Sequence, residues 1–176
     1  MNSKNWNRDK MRLFIAINFG HEVKSKLITL FNDLRAQSQR GHFSLPQNLH
    51  ITLAFLGECD PEQIRIIQSI INSTIFKPFD ILIDHIGRFK RDSGDIWWAG
   101  VRENKTLTDL QRLLSNKLIA VGFELEKRAY TPHITLGREV LTSKQVQVIE
   151  PFGETVRTIE LMKSERVQGV LKYTVI

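Results

Sequence analysis

One tetrapeptide occurs twice in this chain, as His50-Ile51-Thr52-Leu53 and as His133-Ile134-Thr135-Leu136, nearly half a chain apart. Both copies sit in β-branched, apolar sequence that reads as strand. Side chains alternate faces along a strand, so each His and its Thr point the same way about 6–7 Å apart, while Ile and Leu point into a core. A single His-x-Thr on a strand is ordinarily a packed or surface histidine. Packing accounts for the repeated Ile and Leu, but gives no reason for the same His and Thr on the opposite face twice. A repeat at this spacing predicts a pseudo-twofold pair of lobes whose two faces meet across a cleft.

The remaining sequence supplies the elements of such a fold. MRLFIAIN (residues 11–18) is bounded by polar residues and reads as a buried strand ended by Gly20. From residue 21 to about 39, Val23, Leu27, Leu30, Phe31 and Leu34 form the stripe of an amphipathic helix. LHITLAFLGE (49–58) is a second strand. Asp60-Pro61-Glu62-Gln63 opens a helix with a cap, a first-position proline and a polar partner, and Ile64, Ile67, Ile70 and Ile71 form its stripe. FDILIDHIGRF (79–89) and DIWWAGV (95–101) read as antiparallel strands around a turn at 90–94. Thr106-x-x-Asp109 is a capping-box variant before Leu107, Leu110, Leu113, Leu114 and Leu118, predicting a helix to about Val121 with Gly122 as its stop. TPHITLGRE (131–139) is a strand, Thr142-x-x-Gln145 predicts a short helix, and RTIELMKSER and GVLKYTVI are two further strands. Strands and helices mix without regular alternation, which predicts an α+β fold with antiparallel sheets.

The 176 residues suit one domain of two lobes, and no Pro-, Gly- or Ser-rich linker divides them. A hydrophobic content of 41% with only 10 Gly and 5 Pro excludes disordered and collagen-like classes. The single cysteine, Cys59, allows no internal disulfide and no multi-cysteine zinc site, which points to a reducing compartment. MNSKNWNRDK is polar where a secretory signal carries an apolar stretch, and no run of about 18 apolar residues follows. A cytoplasmic protein without a membrane segment is the expectation. The net charge of +6 favours polyanionic partners.

Two imidazoles with ordinary pKa values near 6.5 suit paired general base and general acid roles at neutral pH. Hydroxyls can donate to phosphoryl oxygens as charge builds on them. Arg138 just beyond the second motif, with Lys127 and Arg128 before it, suits an anionic phosphate. His21, His42 and His85 have no such partner and read as surface or loop histidines. No metal-ligand spacing, phosphate-binding glycine loop, nucleophile elbow or dinucleotide fingerprint is present. Trp97 and Trp98 occupy opposite faces of one strand, so Trp98 is a candidate for stacking a nucleobase, as are Phe14 and Phe55. The segments 35–46 and 90–94 read as loops suited to substrate selection.

At these residues the chain resembles the 2H phosphoesterase superfamily, named for two H-x-T/S-x motifs, and within it the bacterial RNA 2′,3′-cyclic phosphodiesterases, also called 2′-5′ RNA ligases. RLFIAIN, NLHITLAFLGE, Trp98-Ala99-Gly100-Val101 and the stretch Tyr130-Thr131-Pro132-His133-Ile134-Thr135-Leu136-Gly137-Arg138 fall in the family's order. The departure is Arg128-Ala129-Tyr130, where the family pattern has Pro before the aromatic. The resemblance implies a bilobed α+β fold with two antiparallel sheets, helices outside and a central cleft, and chemistry without a cofactor or metal. It implies His50 as proton donor to the leaving O3′ and His133 as proton acceptor from water, with Thr52, Thr135 and Arg138 on the phosphate. The implied substrate is RNA with a 2′,3′-cyclic phosphate end, handled by a monomer, and 2′-5′ joining of RNA is similar chemistry in reverse. From the residues alone, a non-catalytic module binding RNA ends and a 2H esterase for a small cyclic nucleotide stay open.

Overall fold

The structure, a computed structural model, describes residues 10–176. The N-terminal stretch read for a secretory signal lies, but for Lys10, outside them. In chain order the elements are β1 (Met11–Asn18), α1 (His21–Ala36), β2 (Ser38–Phe43), a 3-10 turn (Pro46–Asn48), β3 (His50–Cys59), α2 (Pro61–Ser73), β4 (Phe79–Phe89), β5 (Asp95–Val101), α3 (Lys105–Ala120), β6 (His133–Thr142), β7 (Gln147–Val156), β8 (Glu160–Val167) and β9 (Val170–Val175). They build two antiparallel sheets, of order β3-β1-β8-β9 and β2-β6-β5-β4-β7.

The helices form for the reasons their patterns give. Val23, Leu27, Phe31 and Leu34 are the buried stripe of α1. In α2 the Asp60 carboxylate accepts from the Gln63 amide at 2.9 Å while the Gln63 side chain accepts from the Asp60 amide at 3.0 Å, a complete capping box. The α3 cap differs from expectation: Asn104, not Thr106, accepts from the Leu107 amide at 3.0 Å. Asp109 pairs instead with Lys105 and Arg112 on neighbouring turns.

Two segments depart from the sequence reading. The helix α1 stops at Ala36, and residues 38–43, expected in a loop, form β2 along the edge of β6. An edge strand with most of its side chains in water needs no apolar alternation, so SQRGHF carries no strand signal. No helix starts at Thr142, which ends β6; its hydroxyl donates to the Gln37 carbonyl, and β7 follows. β7 is also an edge strand, which is why it tolerates Pro151.

The two sheets interlock. α1 leaves the four-stranded sheet but packs on β2, β6 and β7 of the other, whereas α3 leaves the five-stranded sheet and packs on β3 and α2. Both helices therefore tie the sheets together over one large buried cluster, while Phe14, Ala16 and Met162, with Tyr173 against them, form a second, smaller one on the other face of the four-stranded sheet. The sheets approach each other through β3 and β6, the two strands that carry the repeated tetrapeptide. Cys59 is buried, and burial pushes its thiol up to about 11. No helix among the described residues is long and apolar enough to cross a membrane.

Candidate active site

Both motif strands break their register at the same place. Thr52 faces Ala16 and Ala54 faces Ile15, so Leu53 is an extra residue; Thr135 faces Trp98 and Gly137 faces Trp97, so Leu136 is extra. Each strand bulges at the leucine of its motif. Up to the bulge Ile51, Leu53, Ile134 and Leu136 point into the core, at most 2% exposed, and His and Thr point away. Past it the alternation shifts by one, so Ala54 and Gly137 turn inward while Phe55 and Arg138 turn outward, and the burial pattern of residues 50–55 matches that of 133–138. A regular strand would have sent Arg138 into the core with Ile134 and Leu136.

A cleft of about 1440 Å³ brings together His50, Thr52, His133, Thr135 and Arg138. The two imidazoles are anchored alike. Nδ1 of His50 donates to the Asn48 carbonyl at 2.7 Å, and Nδ1 of His133 donates to the Thr131 carbonyl at 2.6 Å, each two residues upstream. A carbonyl only accepts, so the proton of each neutral ring sits on Nδ1 and the lone pair on Nε2. The Thr52 hydroxyl donates to Nε2 of His50 at 2.9 Å, whereas Nε2 of His133 has no partner among the described residues.

The surroundings hold both rings neutral. Burial lowers the pKa of His50, and with the charges of His133, Lys24 and Arg138 against the Asn48 carbonyl it falls to about 4. His133 is lowered in the same way, by burial first and then by Arg128 and Arg138, against the Thr131 carbonyl. Phe14 and Tyr173 pack on His50 with ring centroids at 4.8 and 5.2 Å; Phe89 and Trp98 pack on His133 at 5.2 and 5.9 Å.

Three contributors escape a sequence reading. Asn48 is buried, donates to the Leu171 carbonyl at 2.9 Å and accepts from the Tyr173 amide at 3.2 Å, so it seats β9 beside His50. Tyr173 is held against His50 by that contact, by its pairing opposite Ser164 in β8 and by Phe14, 4.9 Å away between ring centroids. Tyr130 donates its hydroxyl to the Thr52 carbonyl at 3.1 Å, on the free edge of β3. These contacts join residues far apart in sequence, and only the asparagine beside the motif leaves a local trace.

The aromatic candidates separate. Phe55 is 47% exposed, with the Arg12 guanidinium 4.9 Å from its ring centroid, and it also lines an adjoining cavity of about 650 Å³ next to Thr52 and His133. Phe14 is 3% exposed and lines the cleft beside His50. Trp98 is no stacking surface: it is 9% exposed, its indole lies across Gly87, where a Cβ would come within 2.2 Å, and it supports the His133 ring. Trp97 is fully buried. Residues 90–94 line neither cavity, and of 35–46 only Ser44 does; the segment 123–131, with Arg128 in both cavities and Lys127 in one, takes the place expected for those loops. His42 pairs with Glu139 and His85 with Asp84, and neither they nor His21 line the cleft. Among the described residues no cluster of three or more His, Cys, Asp or Glu is placed to hold a metal ion.

Residues 19–98 match the family model described as LigT like phosphoesterase. The chain is 33% identical to an RNA 2′,3′-cyclic phosphodiesterase of Archaeoglobus fulgidus, over 88% of this chain and 91% of that protein. It is 30% identical to the protein of the same name from Methanothermobacter thermautotrophicus, over 82% of this chain and 80% of that one. Its fold is similar to the crystal structure of E. coli LigT complexed with 3′-AMP, with a TM-score of 0.84, 26% identity and 96% of each chain covered.

Proposed function

Because this chain belongs to the LigT-like phosphoesterase family of 2H phosphoesterases, we propose that it opens RNA 2′,3′-cyclic phosphate ends to 2′-phosphomonoesters, with His50 and His133 as acid and base. The observation that carries this reading is the convergence in one cleft of two imidazoles, each anchored through Nδ1, with two threonine hydroxyls and one guanidinium. His133 is the base: its Nε2 lone pair is unshared, and it takes a proton from water as the water oxygen attacks phosphorus. The bond from phosphorus to O3′ breaks, and His50, carried as the imidazolium once the phosphate anion lies beside it, gives its Nε2 proton to that oxygen. Thr135 and Arg138 donate to the non-bridging oxygens, where negative charge grows in the transition state, and the Thr52 hydroxyl, released from Nε2 once His50 is protonated, turns its proton to the same oxygens. The ring of Phe55, with Arg12 on one face, offers the other to the terminal nucleobase. With an RNA 5′-hydroxyl attacking phosphorus in place of water, the same base takes its proton, the bond to O3′ breaks and the same acid protonates that oxygen, and the product is a 2′-5′ phosphodiester.

The test is incubation of a short RNA ending in 2′,3′-cyclic phosphate in the presence of EDTA, with the product isomer assigned by mass and phosphatase sensitivity. A 2′-phosphate is expected, and His50→Ala or His133→Ala should each lower kcat by about 10²–10⁴ with the fold intact. Full activity in either variant refutes the assignment.

A further inference from the structure

The cleft is far larger than one cyclic phosphate requires, and it extends from the histidines across the open face of the four-stranded sheet. We propose that this face is a track for the single-stranded RNA upstream of the cyclic end, with Arg12 and Arg166 holding successive backbone phosphates; the inference rests on the hydrolase reading above. Arg12, Phe14 and Ala16 share one face of β1. Arg12 stands opposite Ser164 in β8, and Arg166 stands opposite Leu171 in β9. Arg12, Ser164, Arg166, Leu171 and Tyr173 all line the same cleft as the histidines. Distance from the motif therefore increases along a line from Phe14 to Arg12 and then to Arg166.

The charges along that line are available. Neither Arg12 nor Arg166 has a carboxylate within ion-pair distance among the described residues; Arg166 donates to the Gly169 carbonyl at 3.1 Å, and Glu58, opposite Arg12, stays out of reach. Glu58 is the acid on this face; Lys163 and Glu165, paired at 2.6 Å, alternate to the other face of β8, where Lys163 stands opposite the buried Leu13. Substrate chemistry sets the direction. A terminal nucleotide whose 2′ and 3′ oxygens lie between the histidines has one connection left, through its 5′ oxygen. With its base against Phe55, the rest of the chain leaves over β1 and β8, where the unpaired guanidinium groups are. A phosphate backbone matches them in charge and in repeat, and an aromatic such as Tyr173 accepts a base without regard to its identity.

The experiment compares kcat/KM for a nucleoside 2′,3′-cyclic phosphate with that for a tetranucleotide carrying the same end, across salt concentration. Two phosphate contacts in a single strand give a slope near −1.4 in log kcat/KM against log salt, so raising salt from about 50 to 200 mM should lower the tetranucleotide value about 7-fold beyond any change in the mononucleotide value. Arg166→Gln should remove about half of that slope and leave mononucleotide turnover unchanged. Equal values and equal salt dependence for the two substrates overturn the track, as does an Arg166→Gln effect of the same size on both. Fluorescence anisotropy with a labelled tetranucleotide ending in a 2′-phosphate reads binding without turnover. Weaker binding in Arg166→Gln sustains the track even if no substrate is hydrolysed; unchanged binding, or polyglutamate competing as well as RNA, refutes it.

Discussion

Titration of the His50 imidazole, with and without an oxyanion in the cleft, tests the electrostatics on which the acid role depends. Burial and neighbouring cations hold this ring near a pKa of about 4. At pH 7 about one molecule in a thousand then carries it as imidazolium, a deficit of about 4 kcal/mol. A unit negative charge about 4 Å away, at an effective dielectric of about 20, contributes about 4 kcal/mol in the opposite direction. The phosphate that His50 is to protonate against can thus raise its midpoint by up to about three units, close to neutrality. The assay is the NMR shift of the His50 ring proton against pH, alone and with inorganic phosphate. A midpoint near 4 that rises with phosphate is expected; a midpoint at or above 6.5 without anion, or no movement with it, refutes the reasoning. Kinetics offers a second view. The pH profile of kcat/KM reports the free protein and that of kcat the complex, so the kcat optimum should lie to the alkaline side. The folded pKa lies below the ordinary 6.5, so the unfolded chain binds more protons between those values, and stability is lost as pH falls through them, by at most about 3 kcal/mol.

Two further outcomes follow from packing. Gly87→Ala places a Cβ 2.2 Å from the Trp98 ring and should lower stability by about 1–3 kcal/mol, while pushing the indole against His133 so that kcat falls and KM holds; an unchanged Tm and kcat would count against Trp98 as the support of that ring. Asn48→Ala leaves the Leu171 carbonyl and Tyr173 amide without their partner, a loss of about 1–3 kcal/mol by denaturant titration, and loosens Tyr173 against His50, whose NMR midpoint should rise; an unmoved midpoint would show that β9 does not desolvate the ring.

Much of this molecule is legible along the chain because its signals are local. The α1, α2 and α3 stripes, the Asp60 capping box and the apolar runs of β1, β3 and β5 state their own conformation, since each buries one face whatever it packs against. β2 and β7 are silent because an edge strand takes its hydrogen bonds from a neighbour and demands little of its side chains. The Asn104 cap was displaced from Thr106 by two residues, within the reach of either polar side chain, and the helix start decided between them.

The site divides along the same line. Two His-Ile-Thr-Leu strands, each with a core face and a chemical face, can be read from residue order, because side-chain alternation is a property of one strand. Their meeting is not local: it requires α1 and α3 to cross to opposite sheets and bring β3 against β6. Arg138 has the wrong parity for the cleft until the bulge at Leu136 shifts it, and Phe55 reaches the cleft by the matching bulge at Leu53. Trp98 has the right face for the site, but the space over Gly87 drew it into the wall behind His133. Asn48 and Tyr173 join the site across more than a hundred residues, through hydrogen bonds that exist only once β9 has paired. Residue order settles what one element can bury and present; register, bulges and the approach of distant strands settle which of those groups meet.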